Sequence, residues 1–291
     1  PCMAGLDEVE ADTLLVGVAP DCGRLPGELR ARVVEALERG MDVVSGLHEM
    51  LGDDPELAAL AERKGGSIRD VRRPPRSLPL AQGLARTASC FRLLTVGHDG
   101  GVGKLLVSME LTRGLRSRGR RTAFIATGQT GMLVADGGFP ADALASDFVA
   151  GVTEVEVLAH QDAEFVVVEG QGSLIHPAYS AVTLGLLHGA APQAMVMCAD
   201  PTRTHLHHTG LPIPPLVEVI DVFERMASLV QPARVAAIAL NTAGLSDDDA
   251  NAEIERVHAS TGLPVTDVIR RGVDDLVDAV LEEAARVDGA P

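Results

Sequence analysis

Lysine is almost missing from this sequence, although basic residues as a class are not. Of 25 basic side chains in 291 residues, only Lys64 and Lys104 are lysines, and all the others are arginines. The compact ammonium of a lysine suits a glycine-rich loop around phosphate better than a planar guanidinium does. Lys104 stands in such a loop and Lys64 does not, so the stretch around Lys104 is the first candidate for a ligand site.

Positive charge is also scarce overall. The formal net charge is −16, and a surface of that sign repels the phosphates of nucleic acids and of anionic membranes. No apolar run approaches the ~20 residues that a membrane helix needs, and no signal-peptide pattern opens the chain. We therefore expect a small-molecule substrate and neither nucleic acid nor a membrane as partner. We also expect a homo-oligomer located in the cytoplasm.

Cysteines are few and scattered. Cys2, Cys22, Cys90 and Cys198 form no C-x-x-C pair and have no zinc-ligand spacing. In a chain of this size without a secretion signal, such thiols are typical of a reduced, mostly buried set in a cytoplasmic protein. The sequence therefore predicts no metal site built on cysteine.

Apolar runs alternate with amphipathic helical stretches in the first part of the chain. This pattern predicts strands over 13–20 and 41–46 and helices over 26–40 and 54–66, followed by the stretch SIRDVR. Strands that alternate with helices indicate a parallel sheet. Because few strands are visible and the chain begins at Pro1, we expect a further strand-helix unit upstream. We assign 1–75 to this domain and the proline-rich segment 76–90 to a linker.

The same alternation resumes on a larger scale over 91–291. Strands are predicted over 91–97, 121–127, 164–170, 193–200, 235–242 and 263–268, with helical patterns between them. Near-continuous Val, Ile and Leu strands are typical of a sheet that is covered on both faces. The fold class is therefore α/β, with a doubly wound parallel sheet whose functional residues collect at the carboxyl ends of the strands.

A phosphate-binding loop is predicted between the first of these strands and the following helix. Glycines let backbone N–H groups turn inward, the helix start adds partial positive charge, and the lysine adds a full one. The residues expected to hold a cofactor are Gly97, His98, Asp99, Gly100, Gly101, Val102, Gly103, Lys104 and Leu105.

Leu105 stands where a nucleotide-hydrolysing enzyme has a serine or threonine that binds Mg²⁺. Ser108 is the next hydroxyl residue, nearly one helical turn further on. A loop of this composition is poorly equipped for metal-dependent triphosphate chemistry. It remains suited to a pyrophosphate such as that of coenzyme A.

Three further stretches follow strands and carry polar side chains. Glu169, Gln171, Ser173 and His176 follow one strand, and Gln129 and Thr130 follow another. Asp200 ends a third strand, and Arg203 is spaced to bind a carboxylate or phosphate in a bidentate manner. His205, His207 and His208 lie in the same loop, where exposed histidines are a better interpretation than a metal site.

These motifs together resemble the D-glutamate N-acetyltransferase family, formerly known only as a domain of unknown function. The resemblance covers essentially the whole chain and is carried by LLTVGHDGGVGK, ATGQTG and VVEGQGSLIHPAYSAVTLGLLHG. It implies a Rossmann-like amino-terminal domain, a P-loop-type carboxy-terminal domain and transfer of acetyl from acetyl-CoA to the amine of D-glutamate. His98 and Gly100 depart from the threonine and cysteine typical of the family, and Leu106 and Val107 stand where it often has threonine.

Acetyl transfer needs a base, a donor to the thioester oxyanion and cations for the substrate carboxylates. The hypothesis assigns the base to Glu169, with Asp200 or His176 as substitutes, and the phosphate contact to Lys104. Gln129 and Ser173 are candidates for the oxyanion. Two alternatives stay open: an ATP- and Mg²⁺-dependent ligase or kinase resembling dethiobiotin synthetase, and a non-catalytic protein that binds coenzyme A or a nucleotide.

Overall fold

The computed structural model of the chain describes residues 5–6, 10–18, 20 and 23–289. It divides into two compact units, Pro1–Pro75 and Arg76–Pro291. Cys90 and Cys198 are buried free thiols, whereas Cys2 and Cys22 lie outside the described residues.

The first unit is a three-stranded parallel sheet in the order β1-β2-β3 with two helices. The elements are β1 (Thr13–Val16), α1 (Gly27–Glu38), β2 (Asp42–Ser45), α2 (Pro55–Lys64) and β3 (Ile68–Asp70). Asp54 caps α2 by accepting the backbone N–H groups of Glu56 and Leu57, and Gly65 ends it in the left-handed conformation. These are ordinary start and stop signals, and they explain why α2 occupies most of the predicted segment.

The second unit contains a seven-stranded sheet in the order β10-β9-β8-β4-β7-β5-β6, with every pair parallel. Its strands are β4 (Phe91–Gly97), β5 (Thr122–Ala126), β6 (Gly137–Gly138), β7 (Phe165–Val168), β8 (Ala194–Ala199), β9 (Arg234–Leu240) and β10 (Val265–Thr266). Five of them lie within the predicted segments, and β9 begins one residue before its segment, 235–242. β6 was not predicted; it is a two-glycine strand that pairs with the end of β5.

Helices cover both faces of this sheet, as the apolar strands predict. They are α3 (Lys104–Ser117), α4 (Ser146–Ala159), α5 (Ser180–Ala190), α6 (Leu216–Ser228), α7 (Asp247–Thr261) and α8 (Asp274–Asp288). One core includes Val149, Leu186 and Phe223 of α4, α5 and α6. The core on the other face includes Leu111 and Val277 of α3 and α8. No described helix combines the length and apolar character needed to cross a bilayer.

The segment 76–90 packs against α4 of the second unit. The buried carboxylate of Glu154 accepts backbone N–H groups from Gln82, Leu84 and Ala85. Gly151 lies so close to the carbonyl of Pro79 that an added Cβ would sit 2.0 Å from its oxygen. A segment without periodicity is therefore anchored by side-chain hydrogen bonds rather than by secondary structure.

The order of the strands determines where a ligand can bind. β4 lies between β7 and β8, and the chain leaves β4 toward β5 on one side and later passes from β7 to β8 on the other. At such a switch point the loops after neighbouring strands diverge and leave a crevice at the carboxyl edge of the sheet. The loops after β4, β7 and β8 meet at this crevice.

Candidate functional site

A cavity of about 940 Å³ lies at this switch point. Its wall contains many of the residues that the sequence singled out: Gly100, Gly101, Gly103, Lys104, Leu105, Glu169, Gln171 and Arg203. The other predicted residues do not line it, namely Gly97, His98, Asp99, Val102, Gln129, Thr130, Ser173, His176 and Asp200. The volume is at the upper end of what small-molecule sites show.

The loop between β4 and α3 has the geometry of an anion-binding turn. Gly103 precedes α3 with φ of 101°, a conformation that residues with a Cβ rarely adopt. α3 then begins at Lys104, so its first N–H groups and the positive end of its dipole lie at the cavity wall. A phosphate at this position would be held by backbone donors and by the partial charge of the helix.

Lys104 is buried, with 6% of its surface exposed, and its ammonium is already hydrogen-bonded. Nζ donates to the carbonyl of Asp99 at 2.7 Å and to that of Gly172 at 2.8 Å. Burial lowers the pKa of Lys104 to about 8. The lysine therefore joins the loop after β4 to the loop after β7, and it loses its charge at moderately alkaline pH.

The hydroxyl of Ser108 lies on the core side of α3. Its Oγ donates to the carbonyl of Lys104 and lies 2.9 Å from Oγ1 of Thr95, and the residue is fully buried. Leu105 presents an apolar side chain to the cavity. Among the described residues, no group of three His, Cys, Asp or Glu side chains is arranged to hold a metal ion.

Asp99 connects the phosphate loop to the loop after β8. Its carboxylate is fully buried and accepts Nη1 of Arg203 at 2.8 Å and the backbone N–H of His207 at 2.8 Å. It also accepts the N–H of Gly100 at 2.7 Å. Burial opposes its ionisation, but these hydrogen bonds outweigh burial and hold the pKa of Asp99 below its usual value.

His98 and Asp200 form a second link beside this one. Nε2 of His98 accepts the backbone N–H of Asp200 at 2.9 Å, and burial lowers the pKa of His98 to about 4. The imidazole is therefore neutral. Oδ1 of Asp200 accepts both the N–H and the hydroxyl of Thr202, which makes it the cap of a turn after β8 rather than a group on the cavity wall.

Glu169 is the buried carboxyl group that does reach the cavity. Only 4% of its surface is exposed, and Oε2 accepts the backbone N–H groups of Thr127 at 3.0 Å and Gly128 at 3.2 Å. Burial raises the pKa of Glu169, and these hydrogen bonds and the nearby Lys104 oppose the rise without reversing it. A carboxyl group with a raised pKa beside a ligand cavity is suited to accept and return protons during a reaction.

Gln171 shares the cavity wall with Glu169, and Ser173 and His176 lie behind it. The hydroxyl of Ser173 accepts the N–H of Ile175 within a turn and is fully buried. His176 is also buried, with both ring nitrogens engaged: Nδ1 accepts the N–H of Ala178, and Nε2 lies 2.9 Å from the carbonyl of His207. These two side chains shape the loops that surround the cavity.

Gln129 and Thr130, which follow β5, were predicted to contact the substrate, but the structure places their side chains away from the cavity wall. Thr130 is exposed, and Oε1 of Gln129 is buried without a hydrogen-bond partner. Neither side chain lines the cavity. The contribution of this stretch is instead its backbone, since the N–H groups of Thr127 and Gly128 hold Glu169.

Sequence reasoning missed part of the cavity wall: Leu106, Met109, Asp142, Tyr179, Val182, His207 and His208. The apolar members lie on α3 and α5, where they are indistinguishable in sequence from core residues. Tyr179 stacks on His176 with ring centroids 4.3 Å apart. His207 and His208 were interpreted as exposed histidines, which they are, and no spacing rule places them at the cavity.

Known proteins match this chain along nearly its whole length. A family model described as the DUF1611_N Rossmann-like domain matches residues 2–74, and one described as the DUF1611_C P-loop domain matches residues 79–277. A protein named D-glutamate N-acetyltransferase from Tritonibacter scottomollicae is 40% identical over 93% of this chain and 81% of its own length. One of the same name from a Pseudoalteromonas species is 35% identical over 92% of this chain and 80% of its own.

A solved structure agrees with these matches. The crystal structure of a DUF1611 family protein from Anabaena variabilis superimposes with a TM-score of 0.92 at 40% identity, covering 97% of this chain and 84% of that one. The Rossmann-like and P-loop domains expected from the motifs are thereby confirmed. With matches of this identity across both domains, the chain belongs to the DUF1611 family.

Proposed function

We propose that the protein is an N-acetyltransferase that moves acetyl from acetyl-CoA to the amine of an acidic amino acid, D-glutamate. The observation that carries the proposal is the joint position of an anion-binding loop and a buried carboxyl group, Lys104 and Glu169, on one cavity wall. The names of the two curated relatives support the same reaction.

The donor side of the proposal rests on the shape and charge of the loop. The pyrophosphate of acetyl-CoA would bind the N–H groups at the start of α3 together with Lys104. A smaller cavity of about 380 Å³ adjoins the first and shares Gly103 and Leu106 with it. Its mainly apolar wall, with Asn241 beside it, suits the adenine ring. Leu105 and Ser108 supply no hydroxyl for Mg²⁺, and pyrophosphate binding by this loop does not need one.

The acceptor side of the proposal rests on Arg203 and Glu169. Nη1 of Arg203 is used by Asp99, while Nη2 lies 3.9 Å from Asp200, beyond hydrogen-bond distance. This nitrogen can bind a substrate carboxylate. Glu169 then takes a proton from the attacking amine.

Calorimetric titration with acetyl-CoA, with and without Mg²⁺, tests the donor. We expect binding that does not depend on the metal and that is lost in Lys104→Ala. Lys64→Ala is the matched control, because Lys64 is the other lysine of the chain and is exposed on α2. The acceptor is then identified by the transfer rate with D-glutamate, L-glutamate and D-aspartate.

Two outcomes would replace this proposal. Mg²⁺-dependent binding of ATP without a response to acetyl-CoA would favour a ligase or kinase. Tight binding of acetyl-CoA without turnover of any amino acid would favour a binding protein.

A further inference from the structure

Acetyl transfer to an amine requires two proton removals, and Glu169 accounts for one. Both removals belong to the proposed function, on which the following inference rests. An amino acid enters as an ammonium ion, which must lose one proton before its nitrogen can attack the thioester carbon. The same nitrogen loses a second proton when the C–N bond has formed and the C–S bond breaks. The second proton goes to the coenzyme A thiolate, whereas the first leaves as a net product.

The two protons therefore call for groups in different surroundings. The proton passed from nitrogen to sulfur is best carried by a group sealed from water, and Glu169 is buried on the cavity wall. The proton that leaves must reach solvent. The group that takes it has to touch both the cavity and water, which Glu169 does not.

His207 and His208 meet both conditions. Both are exposed, and both line the cavity. Their rings are in contact, with centroids 3.7 Å apart. His208 has φ of 58°, a left-handed conformation that histidine, asparagine and aspartate adopt more often than other residues with a Cβ.

The backbone under this pair is held from two sides. The N–H of His207 donates to the buried carboxylate of Asp99, and its carbonyl lies 2.9 Å from Nε2 of His176. These contacts tie the pair to the phosphate loop and to the loop after β7. Buried groups therefore fix the backbone of His207 at the edge of the cavity.

His176, Asp200 and His205 in the neighbouring loops are unsuited to the role. Both nitrogens of His176 are engaged, and Asp200 caps the turn at Thr202. His205 pairs with the hydroxyl of Thr204 and is not on the cavity wall.

We propose that the His207–His208 pair is the solvent-facing base of the reaction. It takes the first proton from the substrate ammonium and releases it to water, which leaves the neutral amine to attack the acetyl carbon. Glu169 takes the second proton as the tetrahedral intermediate forms and returns it to the sulfur as the C–S bond breaks. The products are the N-acetyl amino acid, coenzyme A as the thiol, and one proton.

Several charged or titratable groups line the same cavity as this pair and can contribute to the pH dependence of turnover. They are Lys104 from the start of α3, Asp142 from the turn after β6, Glu169 from the end of β7, Tyr179 before α5, and Arg203 in the same loop. Asp99 and His176 contact its backbone. A pH profile assigns the base only when the imidazoles themselves are replaced.

The test is the double substitution His207→Asn and His208→Asn, with His205→Asn as the matched control in the same loop. Asparagine tolerates the left-handed conformation at position 208 and keeps the backbone contacts of position 207. We expect the turnover rate to fall on the order of 10²-fold, with the affinity for acetyl-CoA unchanged. We also expect loss of the acidic limb of the pH profile of turnover and partial rescue of the rate by added imidazole. His205→Asn keeps the wild-type rate and profile.

Three outcomes overturn the proposal. The first is a double variant that keeps the wild-type rate and pH profile. The second is a lost rate that imidazole does not restore although acetyl-CoA still binds. If the double variant does not bind acetyl-CoA, the single variant His208→Asn is measured instead. Its turnover rate and the rescue of that rate by imidazole are judged in the same way. The third is a wild-type protein that transfers no acetyl group to any amino acid, which removes the proposed function as well. The first two leave that function intact.

Discussion

Asp99 and Glu169 are two buried carboxyl groups near Lys104 whose pKa values are shifted in opposite directions. Asp99 after β4 is fully buried and Glu169 after β7 is 4% exposed. The pKa of Asp99 lies below its usual value, because Arg203 and two backbone N–H groups bind it strongly enough to outweigh burial. The pKa of Glu169 lies above its usual value, because burial outweighs its hydrogen bonds.

The difference shows how an arginine that is hydrogen-bonded to a buried carboxylate lowers the pKa of that carboxylate. A carboxylate bound to an arginine is fixed in charge and serves to hold loops together. A carboxyl group whose burial outweighs its hydrogen bonds can gain and lose a proton during a reaction. Neutral substitutions of the two carboxyl groups should therefore have different effects. Substitution of Asp99 should lower the free energy of unfolding, and substitution of Glu169 should lower the turnover rate.

The largest effect is expected for Glu169→Gln. It should lower the turnover rate on the order of 10³-fold, because a general base is lost, while the free energy of unfolding changes little. Glu156→Gln is the control, since burial also raises the pKa of Glu156 but that side chain does not line the cavity. A Glu169→Gln enzyme with near-normal turnover would remove Glu169 from the base role.

Asp99→Asn should instead destabilise the fold. The substitution leaves Arg203 facing a neutral amide, and the loss of this charge-assisted hydrogen bond costs about 2 kcal/mol. Urea denaturation followed by circular dichroism measures this change. Asp200→Asn is the control, because its Oδ2 lies 3.9 Å from Arg203 and an amide oxygen can still cap Thr202. Equal stability of the two variants would contradict a structural role specific to Asp99.

The pH dependence of acetyl-CoA binding tests the cation that lies between the two carboxyl groups. The pKa of Lys104 is about 8, so the ammonium is charged below that pH and neutral above it. Affinity should hold at lower pH and fall by about tenfold per unit as the pH rises well beyond 8. Calorimetry across this range measures the change. Affinity that stays constant up to about pH 10 would exclude Lys104 as the phosphate ligand.

Arg203→Lys should have the smallest effect. Nη1 of Arg203 donates to both Asp99 and the carbonyl of Gly100, and a lysine keeps the charge but loses the planar guanidinium that positions this nitrogen, so about 1 kcal/mol of stability is expected to be lost. Arg225→Lys is the control, because its ion pair with Asp221 is exposed and such pairs contribute little. Indistinguishable stability of these two variants would show that the guanidinium of Arg203 contributes no stability beyond that of an exposed ion pair.

Local patterns in the sequence predict most of the second unit. Continuous apolar runs such as 91–97 and 235–242 coincide with strands because both faces of the sheet are buried. β6 was missed because Gly137 and Gly138 have no side chains and therefore give no periodicity. The glycines and Lys104 of the phosphate loop were identified because their function depends on residues adjacent in sequence.

Roles that depend on distant partners were not predictable. Asp99 is held by Arg203, 104 residues further along the chain, so its glycine-rich surroundings indicated a ligand contact instead. His176 had suitable chemistry for catalysis, but its Nε2 lies 2.9 Å from the carbonyl of His207, 31 residues further along the chain. Such pairings follow from the strand order, which no short motif contains.

The stacking of Tyr179 on His176 has a spectroscopic consequence. The chain contains one tyrosine and no tryptophan, and that tyrosine lies on the cavity wall. The aromatic fluorescence of this protein therefore comes almost wholly from one side chain, so an emission spectrum of the unlabelled protein reports on the occupancy of a single place in the molecule.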